Sequence, residues 1–141
     1  MKPMRNAISY VIYNKDKSKF LSVKRPEDDN DLPNVWGLPA GNVKDGESFE
    51  QAVLRSGKEK LGVELEIEDI VDEGDIERNN YVLNMKLYET KIVKGEPRVP
   101  QQAEGTQYQD WKWATSEELK EAAQKDSLCC RLYLSGLNEK W

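Results

Sequence analysis

One short segment of the chain carries acidic and basic side chains at a spacing that can bring them together. Glu59 and Lys60 follow Ser56 by three and four residues, so on a helix the three side chains share one face. A carboxylate such as that of Glu59 can ligate a divalent cation, because hard cations prefer oxygen ligands. A protonated lysine cannot ligate a cation and repels one that is held nearby. The segment therefore offers one metal ligand and one fixed positive charge on the same face.

The residues on either side of this face predict the element that must position it. Ser48 and Gln51 have the spacing of a capping box, in which each side chain satisfies a free backbone amide at a helix start. They predict a helix over Phe49–Leu61, which Gly62 ends in a left-handed conformation. Gly57 is unusual, because a glycine in the middle of a helix costs up to about 1 kcal/mol relative to alanine. It suggests close packing of this helix against a strand, and simple divergence of the sequence explains it as well.

Alternation of apolar and polar residues predicts the strands, and capping residues predict two further helices. The expected strands are 6–13, 19–24, 63–68, 69–77, 81–92 and 110–114, and the expected helices are 117–124 and 127–137. The first two strands should pair as a hairpin. The strand over 69–77 should follow a bend after 63–68. A loop over 94–105 has the length that often carries function.

Length and charge exclude several classes of function. A chain of 141 residues suits one domain, which we expect to span 1–141. Its net charge of −5 disfavours a general affinity for duplex nucleic acid or anionic membrane, so a polyanionic ligand would need a local basic patch. No apolar run approaches the roughly 20 residues of a membrane-spanning helix, and the start of the chain lacks the apolar core of a secretory signal. A cytoplasmic protein is expected.

The absence of histidine from the chain excludes Ser-His-Asp and Cys-His catalysis and any histidine-ligated zinc site. The two cysteines, Cys129 and Cys130, are adjacent and lack a metal-ligand spacing, so buried, unreactive thiols on a helix are expected. Acid–base or metal chemistry must then come from carboxylates, lysine or tyrosine.

The segment Gly41–Val63 resembles the box that defines the Nudix family. In that motif a glycine, a glutamate, an arginine and a glutamate-rich helix end occur at fixed spacing, and the residues in register here are Gly41, Glu47, Arg55, Glu59, Gly62 and Val63. Ser56 and Lys60 stand where the motif has glutamates. Outside the box, Trp36–Gly41 and Trp113–Leu119 resemble the segments that precede the Nudix helix and close the fold. The resemblance covers nearly the whole chain.

This resemblance implies a fold, a reaction and a site. The fold would be of the α/β class, an α/β/α sandwich with a mixed β-sheet in a single domain. The reaction would be hydrolysis of a nucleoside diphosphate linked to another moiety, with Mg²⁺ or Mn²⁺ to neutralise the pyrophosphate and activate water. The ligand would be a small phosphorylated molecule, a nucleotide first of all, and homodimers are common among relatives. The implied residues are Glu59 and Arg55 for catalysis, Arg25 and Lys60 for substrate binding, and Glu59, Glu47 and Glu104 for the metal.

The departures at Ser56 and Lys60 leave three interpretations open. The leading one is a Nudix-type hydrolase with a degenerate site, in which Glu59 holds one cation with the help of a second acid, and metal dependence is weak or altered. In the second, Lys60 replaces a metal as a fixed positive charge, which leaves a catalytically inactive nucleotide-binding module. In the third, the domain serves only as an interaction surface. Independently of these, Glu47 and Arg55 can form an ion pair that braces a loop against the helix instead of acting in catalysis.

Overall fold

A computed structural model of the chain describes residues 2–27, 32–99 and 108–140. Its strands are β1 (Met4–Ile12), β2 (Phe20–Lys24), β3 (Trp36–Gly37), β4 (Ala40–Asn42), β5 (Glu64–Glu77), β6 (Val82–Lys94) and β7 (Asp110–Ala114). Its helices are α1 (Phe49–Leu61), α2 (Lys120–Gln124) and α3 (Leu128–Gly136), and a 3-10 turn over Ser116–Leu119 leads into α2. Within these residues, no helix is both long and apolar enough to cross a membrane.

The strands form two sheets between layers of helices. The larger sheet has the order β4-β1-β6-β5 and the smaller has the order β3-β2-β7. In the larger sheet β1 is parallel to β6 and antiparallel to β4, so the sheet is mixed, as predicted. Alternate side chains of β1 enter two different cores: Ile8, Tyr10 and Ile12 pack with α1, whereas Ala7 and Val11 pack with α3. Helices therefore cover both faces of the sheet, which confirms the α/β/α sandwich.

The predicted hairpin of the first two strands is wrong. β1 and β2 meet only at the isolated bridge between Tyr13 and Phe20, and β2 then pairs with β3 and β7 in the other sheet. Both edges of β1 are already occupied, by β4 on one side and β6 on the other. A strand between two partners has no backbone groups left to form a ladder with a third.

The acidic stretch after α1 is one strand instead of two. β5 runs without interruption over Glu64–Glu77, antiparallel to β6, with register shifts between Glu64 and Leu65, Ile67 and Asp69, and Ile70 and Asp72. Such shifts let a strand bend and twist while its pairing continues. The bend predicted near residue 69 is therefore absorbed within the strand.

Helix α1 matches its prediction at both ends. The Ser48 side chain accepts a hydrogen bond from the Gln51 amide and the Gln51 side chain accepts one from the Ser48 amide. Gly62 follows the helix with φ of 68°, a left-handed conformation that a residue without Cβ adopts at little cost. A Cβ added at Gly57 would lie 2.6 Å from Leu65 Cδ1 on β5. The predicted close packing of the helix against a strand is therefore confirmed.

The C-terminal helices differ from prediction mainly in their form. The helix expected over 117–124 begins with the 3-10 turn and becomes α-helical only at Lys120. The helix expected over 127–137 is α3, one residue shorter at each end. Cys129 and Cys130 are free thiols buried in its first turn, as expected.

Candidate functional site

A cavity of about 630 Å³ opens beside the last turns of α1, between the large sheet and the start of α3. Its walls include backbone of β4 at Ala40 and Gly41, and its floor includes Ala7 and Met85 from the centre of the sheet. The cationic side chains that line it are Arg5, Arg25, Lys44, Arg55, Lys60 and Arg78. Glu59 is the only acidic residue among its described lining. This is a local basic site in a chain of net charge −5, and it favours an anionic ligand.

Lys60 lines this cavity, with only 7% of its surface exposed. Its ammonium donates a hydrogen bond to the Ala40 carbonyl and lies 5.6 Å from the centre of the Tyr108 ring. The Tyr108 hydroxyl holds the same stretch of backbone, because it donates to the Ala40 carbonyl at 3.1 Å and accepts from the Ala40 amide at 2.9 Å. Lys60 is thus a positive charge fixed on the backbone of β4.

Burial lowers the pKa of Lys60 to about 8. The positive charges of Arg25 and Arg55 contribute to this lowering, and the neighbouring carboxylate of Glu59 opposes it. Burial acts in this direction because it disfavours the charged form of any ionisable group. A lysine kept charged in such surroundings is typical of functional sites, where an incoming anion compensates the charge.

Ser56 lies deeper in the same helix face and does not line the cavity. It is 1% exposed, and its hydroxyl lies 2.8 Å from the hydroxyl of Tyr10 on β1. Burial raises the pKa of Tyr10 well above its usual value, so this phenol stays neutral. The residue that replaces the first expected glutamate is therefore part of the core.

The guanidinium of Arg55 forms hydrogen bonds within the protein. It donates to both carboxylate oxygens of Glu47, at 2.7 and 3.0 Å, to Glu59 at 3.1 Å and to the Asn42 carbonyl at 2.8 Å. The hydrogen bonds from Arg55 lower the pKa of Glu47, and those to Glu47 raise the pKa of Arg55. The contacts tie the loop before α1 and the end of β4 to the helix. This arrangement is the bracing ion pair that the sequence allowed for Glu47 and Arg55 as an alternative to a role in catalysis.

Comparison with known proteins decides the family. The model of the NUDIX domain matches residues 3–131 of the chain. The chain belongs to the Nudix family. Among solved structures, the MutT protein from Methanosarcina mazei Go1 is 21% identical, with a TM-score of 0.75 over 99% of this chain and 98% of that one. A MutT NUDIX hydrolase from Burkholderia pseudomallei is 26% identical, with a TM-score of 0.69 over 82% of this chain and 86% of that one. Among curated protein sequences, none matches.

Nudix hydrolases generally use divalent cations, and the described residues of this Nudix protein do not fit a bound metal cluster. They contain no group of three or more acidic, cysteine or histidine side chains that could hold an ion. Glu59 lines the cavity, but both oxygens of Glu47 accept hydrogen bonds from Arg55. Glu104, the third expected ligand, lies outside the described residues. The residue that follows Glu59 is Lys60, whose ammonium donates a hydrogen bond to the Ala40 carbonyl.

Both residues predicted to bind substrate line the cavity. Arg25 follows β2, and its backbone is held by hydrogen bonds to Val35 and from the Gln109 side chain. Its charge acts on Lys60 and also on Cys129, in the first turn of α3. Arg25 and Lys60 are therefore brought near each other in the cavity lining from distant parts of the sequence.

Several residues of this Nudix site could not be found from the sequence. Arg5 lies at the start of β1 and Arg78 directly follows β5, neither within a motif, and Tyr108 lies beyond a stretch that the sequence predicts only as a loop. Cys129 lines the cavity wall, with its sulfur 3.3 Å from the Ser127 hydroxyl and 4.0 Å from the sulfur of Cys130. Hydrogen bonding from Cys130 and Ser127 and the charge of Arg25 lower the pKa of the Cys129 thiol. Its burial was predicted, but its place in the site was not.

Proposed function

We propose that this Nudix protein binds a small phosphorylated molecule in the cavity beside α1, with Lys60 in the role of a bound cation. The observation that carries the proposal is the buried ammonium of Lys60, fixed on the Ala40 carbonyl at the cavity wall. Phosphate oxygens need positive charge and hydrogen-bond donors around them. Lys60 and Arg25 supply both without any metal ligand.

The shape and lining of the cavity support a ligand of nucleotide size. Its volume of about 630 Å³ lies within the range of roughly 300–1,000 Å³ that is usual for small-molecule sites. Besides the cationic groups, the lining includes the apolar side chains of Leu83, Met85 and Leu128. A flat base or another apolar group can pack on these while a phosphate lies at Lys60. A nucleotide or a nucleoside diphosphate derivative combines the two chemistries.

Slow hydrolysis of the same ligand is the second candidate function, and Glu59 is the observation that favours it. It is the one carboxylate among the described cavity lining, and its side chain keeps 29% of its surface exposed. A MutT NUDIX hydrolase is 26% identical to this chain, which supports a hydrolytic ancestry of the site. Since Arg55 donates to Glu59, any role of Glu59 in the reaction needs that contact to be shared or released.

A single panel separates binding from hydrolysis. The purified protein is incubated with nucleoside triphosphates, dinucleoside polyphosphates and nucleotide sugars, with Mg²⁺, with Mn²⁺ or with EDTA, and both phosphate release and the melting temperature are recorded. The proposal predicts thermal stabilisation by at least one compound in EDTA, because a ligand that binds only the folded state raises its stability. Turnover that disappears in Glu59→Gln would establish the second candidate. Neither stabilisation nor turnover, with metal or with EDTA, would overturn both.

A further inference from the structure

We infer that the ligand carries a second anionic group, which Arg5 and Arg78 bind at the end of the cavity opposite Lys60. This inference rests on the proposed function, because it assigns the far end of the same cavity. It adds a specificity that neither the Nudix box nor the two departures from it contain. The ligand class becomes a phosphorylated molecule with an apolar middle and a second phosphate or carboxylate beyond it.

The strand register places Arg5 and the carbonyl that Lys60 contacts apart along β1. Ala40, which accepts from Lys60, pairs with Ser9 of β1. Arg5 lies four residues earlier on β1, beside Leu83 of β6, and four residues of strand span about 13 Å. Because side chains alternate along a strand, Arg5 lies on the face that α3 covers. Lys60 reaches the Ala40 carbonyl of the edge strand from α1, on the other face. Long side chains at both ends shorten the distance between the two bound anions.

The floor between the two ends is apolar. Ala7 lies between Arg5 and Ser9 on β1 and pairs with Met85 on β6, and Leu83 lies beside Arg5. All of these except Ser9 line the cavity. A ligand that bridges the ends therefore passes over an apolar surface, where a charged or strongly solvated middle would lose hydration without gaining partners.

Contacts within the protein hold Arg5 and Arg78 at the far end of the cavity. None of these contacts pairs their charge with an acidic residue of the described lining. The Arg5 guanidinium stacks on the Tyr81 ring, 4.1 Å from its centre. One terminal nitrogen of Arg78 donates to the Asp126 carbonyl at 2.9 Å, which ties the β5–β6 turn to the connection before α3. The Arg78 backbone amide donates to the Tyr81 carbonyl at 2.8 Å and closes that turn.

The Nε atom of Arg78 is a hydrogen-bond donor that lacks an acceptor within the described residues. It is buried and has no hydrogen-bond partner among the described residues. Buried donors in native proteins are nearly always paired, so an orphaned one calls for an acceptor that the described residues do not supply. Arg78 lines the cavity, and two arginines with donors at one end match the several oxygens of a phosphate or carboxylate. The nearby carboxylate of Glu77 is bound by Lys2 at 2.8 Å.

Matched ligands that differ by one phosphate test this inference directly. The pairs are NADP⁺ with NAD⁺ and coenzyme A with dephospho-coenzyme A, each titrated calorimetrically in EDTA. We expect at least one member with the additional phosphate to bind about tenfold or more tightly than its partner, since contacts between charged groups and arginine are strong. A series of straight-chain dicarboxylates beside these pairs shows whether the second group is phosphate or carboxylate.

Variants at the far end assign that preference to its residues. Arg5→Gln and Arg78→Gln should each reduce the affinity ratio within the favoured pair towards one, while the affinity for the member without the additional phosphate stays unchanged. Arg78→Lys keeps the charge if Arg78→Gln proves too unstable to purify. Lys2→Gln is the matched control, because Lys2 contacts the same turn from outside the cavity and should leave the ratio intact.

The outcomes separate this inference from the proposed function. Equal affinity within every pair, with binding lost in Lys60→Met, would overturn the second anionic site and leave the phosphate site in place. A preference that survives both arginine substitutions would also overturn it. Binding of no member of any pair, and none of inorganic pyrophosphate, would overturn the proposed function as well.

Discussion

Replacing Lys60 by methionine should make the protein more stable and less able to bind its ligand. Methionine keeps the length of the apolar stem but removes the ammonium. The pKa of Lys60 falls from 10.5 to about 8 on folding, which corresponds to about 3 kcal/mol at pH 7, at about 1.4 kcal/mol per pH unit. That free energy opposes folding as long as the lysine is charged. The lost hydrogen bond to Ala40 offsets about 1 to 2 kcal/mol of the gain.

The Ala40 carbonyl keeps a partner in this variant, because the Tyr108 hydroxyl also donates to it. No buried acceptor is orphaned, and the methionine side chain packs well in irregular apolar space. We therefore expect Lys60→Met to raise the free energy of unfolding at pH 7 by about 1 to 2 kcal/mol. Affinity for pyrophosphate or ADP should fall about tenfold to a hundredfold, since a charge-assisted contact is lost.

The sign of the pH dependence follows from the lowered pKa. Between about 8 and 10.5 the unfolded chain binds more protons at this position than the folded chain does, so stability rises with pH across that window. Below pH 8 the lysine is charged in both states and the full cost is present. From pH 7 to pH 9.5 the contribution of Lys60 should grow by about 2 kcal/mol, and Lys60→Met should lack it.

Urea unfolding at pH 7 and pH 9.5 measures both effects, and subtraction of the variant removes the contributions of the other titrating groups. Lys58→Met is the control, because Lys58 is exposed on the same helix and should change stability by less than about 0.5 kcal/mol. A Lys60→Met protein less stable than the wild type at pH 7 would refute the reasoning. It would mean that the ammonium stabilises the fold and is not held at a cost for a ligand.

Three further predictions concern the frame of the site. Gly57→Ala should lower stability by about 1 to 2 kcal/mol despite its better helix propensity, because the new Cβ would overlap Leu65, and in a Leu65→Ala background a double-mutant cycle in urea should show no such loss. Arg55→Gln should cost about 1 to 2 kcal/mol at pH 7. Since the pKa of Glu47 is lowered, that difference should shrink in acid unfolding followed by circular dichroism as pH falls below about 4.5 and Glu47 is protonated; a constant difference would contradict the ion-pair brace. Alkylation of Cys129 by iodoacetamide, followed by mass spectrometry, should slow when pyrophosphate or ADP is bound, and equal rates would place the ligand elsewhere.

The parts of the fold that depend on local chemistry could be predicted from the sequence. The capping box at Ser48 and Gln51 and the left-handed residue Gly62 predict both ends of α1 to the exact residue. Both features depend only on hydrogen bonds to backbone groups within a few positions. The close packing at Gly57 could be inferred as well, since a glycine in a helix needs a reason. The Nudix box then supplied the layer order.

What could not be predicted depends on contacts between distant segments. The hairpin of β1 and β2 fails because β4 and β6 occupy both edges of β1, and no local signal shows which partners win. The helix spacing placed Ser56 beside Glu59 and Lys60, but spacing does not distinguish the buried from the open part of one face. Arg5 and Arg78 come to the same part of the site because parallel pairing places the start of β1 beside the start of β6, which the turn containing Arg78 precedes.

The central claim is that a protein charge, Lys60, takes the role of a metal ion in holding a phosphate. Calorimetric titration of the wild-type protein with pyrophosphate and with ADP, in EDTA and in Mg²⁺, tests it most directly. The account predicts binding in EDTA with a Kd within about threefold of that in Mg²⁺, and proton uptake at pH 8.5 as the ligand restores the charge of Lys60. Binding that is absent in EDTA and appears only with Mg²⁺ would contradict it.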